Sequence, residues 1–307
     1  MSPPHSVSQS SQGSVSVLGL GLMGNALARA LIQNGWKTSV WNRTAAKAEP
    51  IVHMGGILAA TPAECIQASE LTIFCLLDQQ AVHEILGECD ANCGHGRIVV
   101  DFTSGIVSDN YRSQQLAASK SFSAYVRGAI EAIPQSIGLP ESILYYSGDA
   151  TAFKKAENCL KVFGTSIYLG SDVSLASVQE AILGTCFYFF GVGFLQSIAL
   201  LKTSKLWSSG GAENFTTRCV IPFLTEQLPV AFLDMAKEID KEDYATKGSV
   251  VTVNTLASSL RALMKFNVDQ GIPTSAFEPM LRLMEARAEQ GGGGDGMASL
   301  INVFGAN

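Results

Sequence analysis

The residues with the clearest chemical use are three glycines and the short cationic run that follows them. Gly19, Gly21 and Gly24 form G-x-G-x-x-G, directly after the apolar, β-branched run 14–20 and directly before residues 25–34, whose apolar positions recur at helical spacing until Gly35. A strand–turn–helix of this kind holds the pyrophosphate of a dinucleotide. The first glycine allows the tight turn, the second lets the backbone approach the phosphates, and the third lets the helix pack close to the strand. The helix N-terminus adds free N–H groups and partial positive charge. Gly19, Leu20, Gly21, Leu22, Met23 and Gly24 are therefore expected to bind a cofactor, with turn glycines of no further use as the plain alternative. The next strand, 38–41, ends in Asn42-Arg43-Thr44, with Lys47 one turn on. An NAD site places Asp or Glu there for the ribose hydroxyls. A guanidinium, a hydroxyl and an ammonium suit a 2′-phosphate instead. NADPH is the expected cofactor, held in part by Asn42, Arg43, Thr44 and Lys47; the alternative for Arg43 is an exposed turn residue.

Other reactive residues point to less. The seven cysteines are scattered, odd in number and mostly inside apolar runs, the usage of a reducing, cytoplasmic compartment. Cys89, Cys93 and His95, with His83 upstream, make a Cys-x3-Cys-x-His string. It lies in a Gly/Asn/Asp loop without a second ligand pair, so no metal is expected. A net charge of −6 leaves no basic footprint for nucleic acid. With 47% hydrophobic and 16% charged residues, the chain reads as globular, and its 307 residues suffice for two cores.

These residues need elements to position them. Residues 71–77 and 97–103 read as continuous apolar strands of a parallel sheet, joined through a helix near 78–86. Further strands are expected at 123–130, 142–147 and 166–169, and helices at 45–54, 111–119 and 151–163. Ligands in such sheets sit at the carboxyl ends of the strands. That makes Leu76, Leu77 and Asp78, Thr103, Ser104 and Gly105, and the segment 127–138 the walls of a cleft. The strand pattern stops at Asp172, and one long apolar helix, 175–205, follows. Helices at 214–239, 249–270 and 276–290 and a short one after 291–294 complete the chain. The expected fold is α/β: a tail over 1–13, a doubly wound Rossmann domain over 14–171, an interdomain helix over 172–205 and an all-α domain over 206–307. Residues 181–201 carry no charge, and a hydropathy window would place them in a membrane. Gln196, Ser197 and Thr185 interrupt the run, and no aromatic belts flank it, so burial between domains or in a homodimer is expected and membrane insertion is not.

Several segments together resemble a known family. GLGLMGNALARALIQNGWKTSVWNRTAAKA, DFTSG, RGAIEAIPQSIG and DYATKGS are similar to the imine reductases, most of all the fungal reductive aminases among them. The β-hydroxyacid dehydrogenase superfamily shares this architecture, with a 6-phosphogluconate dehydrogenase-like cofactor domain. Those dehydrogenases carry a Lys acid/base early on the long helix and an Asn four residues later. Imine reductases replace the Lys, usually by Asp or Tyr. By that correspondence Glu180 takes the Lys position and Gly184 the Asn position. An acid there suits a cationic iminium carbon and repels a carboxylate substrate, so the resemblance implies NADPH-dependent reduction of C=N. At 100° per residue, Glu180, Gly184, Tyr188 and Gly191 fall within about 80° of one another, which leaves room beside the carboxylate. A helix-start Glu with glycines serving close helix packing is the structural alternative.

The resemblance assigns Glu180 to the carbon–nitrogen centre, Tyr188 to the substrate or to Glu180, and Ser104 to the nicotinamide or the substrate nitrogen. Asn254 falls where the family has Gln, Ser104 where it has Asn, and Glu131 where it is usually apolar. The substrates implied are an imine, or a carbonyl plus an amine. A β-hydroxyacid or aldehyde reductase and a non-catalytic NADPH-binding protein remain as alternatives.

Overall fold

The computed structural model describes residues 12–245 and 251–305. The expected tail up to residue 11, and Thr246–Ser249 of DYATKGS, lie outside the described residues.

The first compact unit ends at Cys186. It is built on an eight-stranded sheet of order β3-β2-β1-β4-β5-β6-β7-β8. Its strands are β1 (Ser14–Leu18), β2 (Lys37–Trp41), β3 (Ile57–Leu58), β4 (Leu71–Phe74), β5 (Ile98–Asp101), β6 (Ala124–Glu131), β7 (Ile143–Gly148) and β8 (Thr165–Gly170). The helices between them are α1 (Leu22–Gln33), α2 (Glu49–His53), α3 (Pro62–Gln67), α4 (Gln79–Glu88), α5 (Val107–Ser119) and α6 (Ala150–Leu160). The first six strands follow the dinucleotide-binding order 3-2-1-4-5-6, whose switch point lies between β1 and β4. One apolar cluster (Val17, Leu27, Leu31, Ile73, Val100, Tyr146, Phe153) fills one face of the sheet, with α1 and α6. A second (Leu18, Phe74, Ile85, Leu86, Val99, Tyr125) fills the other, with α3, α4 and α5.

Three details depart from the expectation. The pairing of β6 with β7 is antiparallel, while every other pair is parallel. Only residues 132–142 join these two strands, too few for the helical crossover that a parallel pair needs. β1 and β4 stop before their apolar runs do, and Leu20, Leu76 and Leu77 become loop residues at the strand ends. Both β3 and α3 went unforeseen, being too short for periodicity to reveal.

The second unit begins at Phe187, inside the long helix α7 (Leu175–Thr203). It continues through α8 (Gly211–Phe215), two π-helical turns, α9 (Leu228–Lys241), α10 (Val253–Asp269) and α11 (Glu278–Arg287). No strand occurs among its described residues. Its core is a small cluster of Val253, Ala257, Leu260, Met284 and Leu300. Of residues 181–201 only Leu201 is buried. Burial of that run within the chain is therefore not what the structure shows.

Candidate active site

The turn between β1 and α1 is shaped as a phosphate cradle. Gly19 has φ +99°, and a side chain there would also run into the Cys75 carbonyl just past β4. A side chain at Gly24 would strike the Gly19 carbonyl. Gly21 differs, because a Cβ added there meets no protein atom. At that open point α1 begins, with no side-chain cap and no acidic residue in its first turn. Uncapped N–H groups beside unfilled space are what a pyrophosphate takes, so these residues fit a dinucleotide. The apolar side chains of Leu22 and Leu77 are exposed at 85% and 88%, free to cover such a ligand.

Asn42 acts within the protein. Its amide oxygen accepts the Leu20 N–H at 2.9 Å, and its amide nitrogen donates to the Thr44 carbonyl at 2.9 Å. The glycine turn is thereby tied to the turn carrying Arg43 and Thr44. Arg43, Thr44 and Lys47 are exposed, and neither cation has an ion pair among the described residues. Thr103 also turns inward: it is buried, and its hydroxyl accepts the Leu76 N–H at 3.0 Å. It clamps the ends of β4 and β5 together.

A row of polar residues crosses three neighbouring strands at one level. Asp101 on β5 is in register with Arg127 on β6, and Arg127 with Ser147 on β7; all three are fully buried. Each has its hydrogen bonds filled. The Asp101 carboxylate accepts from the Thr103 N–H (2.8 Å), the Tyr125 hydroxyl (2.7 Å) and Gln79 Nε2 (3.0 Å). Gln79 also donates to the Thr103 carbonyl (2.6 Å) and accepts from the Ser113 hydroxyl (2.7 Å). That leaves Ser113 Oγ to accept from His83 Nε2 at 2.9 Å, so this histidine belongs to the core network. Burial first, and then the Asp101 charge, push the Tyr125 hydroxyl well above its ordinary range and the Cys75 thiol to about 12.

The same row docks the start of α7. The Ser147 hydroxyl donates to the Val173 carbonyl and accepts the Ala176 N–H, both at 3.0 Å. Arg127 donates from Nη1 to the Asp101 carbonyl (2.8 Å), from Nε to Ser177 Oγ (2.9 Å) and from Nη2 to Glu180 Oε2 (2.7 Å). Ser104, just past β5, donates its hydroxyl to the other carboxylate oxygen, Glu180 Oε1, at 2.5 Å. Glu180 is thus held by both oxygens with its side chain 31% exposed, while its cationic partner is sealed in the sheet. A second carboxylate, Glu131 at the end of β6, is raised by burial and then by the charge of Glu180. It has no hydrogen bond or ion pair among the described residues.

The structure therefore joins Ser104 to Glu180 and adds Ser177 and Asp101, which sequence reasoning missed, and Arg127, which it placed in a cleft wall without a role. The signal for Arg127 was an arginine between Val126 and Gly128 in the middle of the strand AYVRGAIE, where burial demands an anion. Gly184 and Gly191 lie in open space, where an added Cβ would meet nothing within the chain. That favours room beside the helix over close packing inside the protomer. Tyr188, on α7 but in the second unit, is exposed and lies edge-on to Phe187. Asn254, in the first turn of α10, packs its amide against Gly293, and its N–H donates to the Gly293 carbonyl at 3.0 Å.

A switch-point phosphate cradle, a cationic strand end and an anchored carboxylate at the start of a long helix define an NADP-type oxidoreductase. The comparisons narrow the class. Residues 14–170 match the NAD binding domain of 6-phosphogluconate dehydrogenase, and residues 172–306 match the NADPH-dependent reductive aminase-like C-terminal domain. An NADPH-dependent reductive aminase of Aspergillus oryzae is 33% identical over 94% of this chain and 96% of its own. Among solved structures, a reductive aminase of Aspergillus terreus in complex with NADPH and ethyl levulinate is 33% identical. It superposes with a TM-score of 0.87, covering 95% of this chain and 99% of its own. An imine reductase of a Pseudomonas species is 26% identical with a TM-score of 0.89 over the same shares. The chain belongs to the NADPH-dependent reductive aminase family, within the imine reductases.

Proposed function

We propose that this protein reduces a C=N bond to an amine at the expense of NADPH, and that it also accepts a carbonyl and an amine as precursors of that bond. The observation that carries the reading is the Glu180 carboxylate, fixed by Ser104 and Arg127 beside the carboxyl end of β5. The turn 19–24 would hold the pyrophosphate, Arg43, Thr44 and Lys47 the 2′-phosphate, and Leu22, Leu76 and Leu77 the apolar faces. NADPH supplies a hydride at the substrate carbon when bound. Glu180 balances the positive charge on the carbon–nitrogen centre and exchanges the proton on nitrogen. With a free amine as co-substrate, the same carboxylate takes a proton from the incoming ammonium and so frees the lone pair that attacks the carbonyl. Ser104 orients Glu180.

The reading extends to assembly. The exposed apolar stretch of α7 supports a homodimer that covers it, in place of a membrane. Seven free cysteines support residence in the reducing cytoplasm. NADPH consumption with cyclic imines and ketone–amine pairs, and NADP+ reduction with β-hydroxyacids, test the chemistry. Turnover of the first two groups is expected. Turnover of hydroxyacids alone would replace this reading with the dehydrogenase one, and NADPH binding without any turnover would leave a non-catalytic protein.

A further inference from the structure

We propose that Arg127 is a positioning residue for the reaction: held by the Asp101 carbonyl of β5 and the Ser177 hydroxyl of α7, its guanidinium fixes the Glu180 carboxylate in one orientation and offsets its charge. The inference rests on the assignment of Glu180 above. Arg127 is fully buried and donates to the Asp101 carbonyl on β5 and to Ser177 and Glu180 on α7, at 2.7–2.9 Å. Two of those bonds hold the guanidinium itself, so the third points at Glu180 from a fixed place. A planar fork with several donors suits such a task, and a lysine ammonium has only one point of attachment. The carboxylate has little freedom left, because Ser104 takes its other oxygen.

Charge makes the inference distinctive. With Arg127 beside it, the Glu180 pair is neutral as a unit; Glu131 and the buried Asp101 carboxylate are the nearby anions without an ion pair among the described residues. A cationic substrate therefore gains little from the net charge of the pair. It gains from the direction in which the carboxylate is aimed. Loss of the guanidinium would leave an anion that attracts a cation more strongly but is aimed less well.

The test uses the full-length protein at saturating NADPH, with a permanently charged N-alkylated cyclic iminium as substrate. Arg127→Met is expected to lower kcat by about 10- to 100-fold, the range for a misplaced reacting group, without raising KM for that cation. Arg127→Lys should restore part of kcat. In the Glu180→Gln background, Arg127→Met should add almost nothing, because the group that it aims is gone. The proposal is overturned if Arg127→Met keeps kcat within twofold of the parent, or if the two losses multiply in the double variant. Should Arg127→Met fail to fold, Ser177→Ala removes one anchor while keeping the charge. It should lower kcat several-fold, and parental kcat in both Ser177→Ala and Arg127→Lys would overturn the proposal. Parental turnover by Glu180→Gln would refute the assignment of Glu180 itself. A slow Glu180→Gln with an unaffected Arg127→Met would refute this inference alone.

Discussion

The two units treat exposed and buried surface in opposite ways. In the first, charged and polar side chains are drawn into the interior and satisfied there: Asp101, Arg127, Gln79 and Ser113 are all buried within one connected set of hydrogen bonds, and buried Ser147 bonds the start of α7. In the second, apolar side chains stand outside: Phe187, Phe189, Leu195, Val230, Leu233 and Val268 are all exposed around a small core. Buried polar groups are tolerated only when partnered, and extended apolar surface persists only when something covers it. The first unit thus satisfies these buried polar groups within itself. The second has the composition of a surface meant for assembly.

That contrast can be broken most sharply at the second unit. Sedimentation at micromolar concentration should show a dimer without detergent, and replacing Phe187 and Phe189 together by Asp should yield monomer or aggregate. A parent protein that is itself a monodisperse monomer, or that partitions into membranes, would remove the contrast. At the first unit, Glu180→Gln should lower turnover of a preformed iminium by about 10²- to 10⁴-fold, the range for a positioned acid/base or electrostatic group. NADPH affinity should hardly change, because the glutamine oxygen can still accept from Arg127 or Ser104. Unchanged turnover would make the polar network a structural feature only.

A smaller effect sits at the strand end. NADPH should bind about tenfold more tightly than NADH, about 1.4 kcal/mol, and Arg43→Ala should erase most of that preference. Equal affinities in the parent would show that Arg43 is simply an exposed turn residue. The smallest effect concerns Glu131. Its carboxyl is raised in the folded protein, by burial and then by Glu180, so the folded state binds this proton more readily than the unfolded one. Stability is therefore reduced as pH rises from the ordinary carboxyl range through the raised value. Glu131→Gln should melt slightly higher than the parent at neutral pH, with the gain fading below the ordinary carboxyl range. An unchanged difference at every pH would contradict that coupling.

Legibility in the sequence differed in kind between these parts. The glycine turn could be read because its function is local: strand, turn and helix lie within residues 14–34, and each glycine has its own steric reason. The cationic strand end was local too. Arg127 could not be read that way, because its partners lie 26, 50 and 53 residues away and meet only in the folded sheet. Glu180 was found through family resemblance, since one carboxylate on an apolar helix has a bland explanation in the helix dipole. Helix α3 was missed despite a readable start. Thr61 accepts the Glu64 N–H at 3.1 Å, and Glu64 reaches back to the Ala60 N–H at 3.0 Å, the T-P-A-E spacing of a reciprocal cap. The antiparallel β6–β7 pair was legible only from connection length, which apolar patterning does not report.

The position of the last strand bears on how the chain is made. The sheet closes with β8 at Gly170, before the first residue of α7. During synthesis N-terminal domains fold first, so the Asp101–Arg127–Ser147 row can be standing when Glu180 leaves the ribosome and docks on it. The charge-free stretch that follows then emerges from an already folded first unit, and among the described residues most of it stays exposed. An apolar helix left uncovered on a nascent chain is open to aggregation. Slower translation or lower growth temperature should therefore raise the recovered amount while leaving the activity of each folded molecule unchanged.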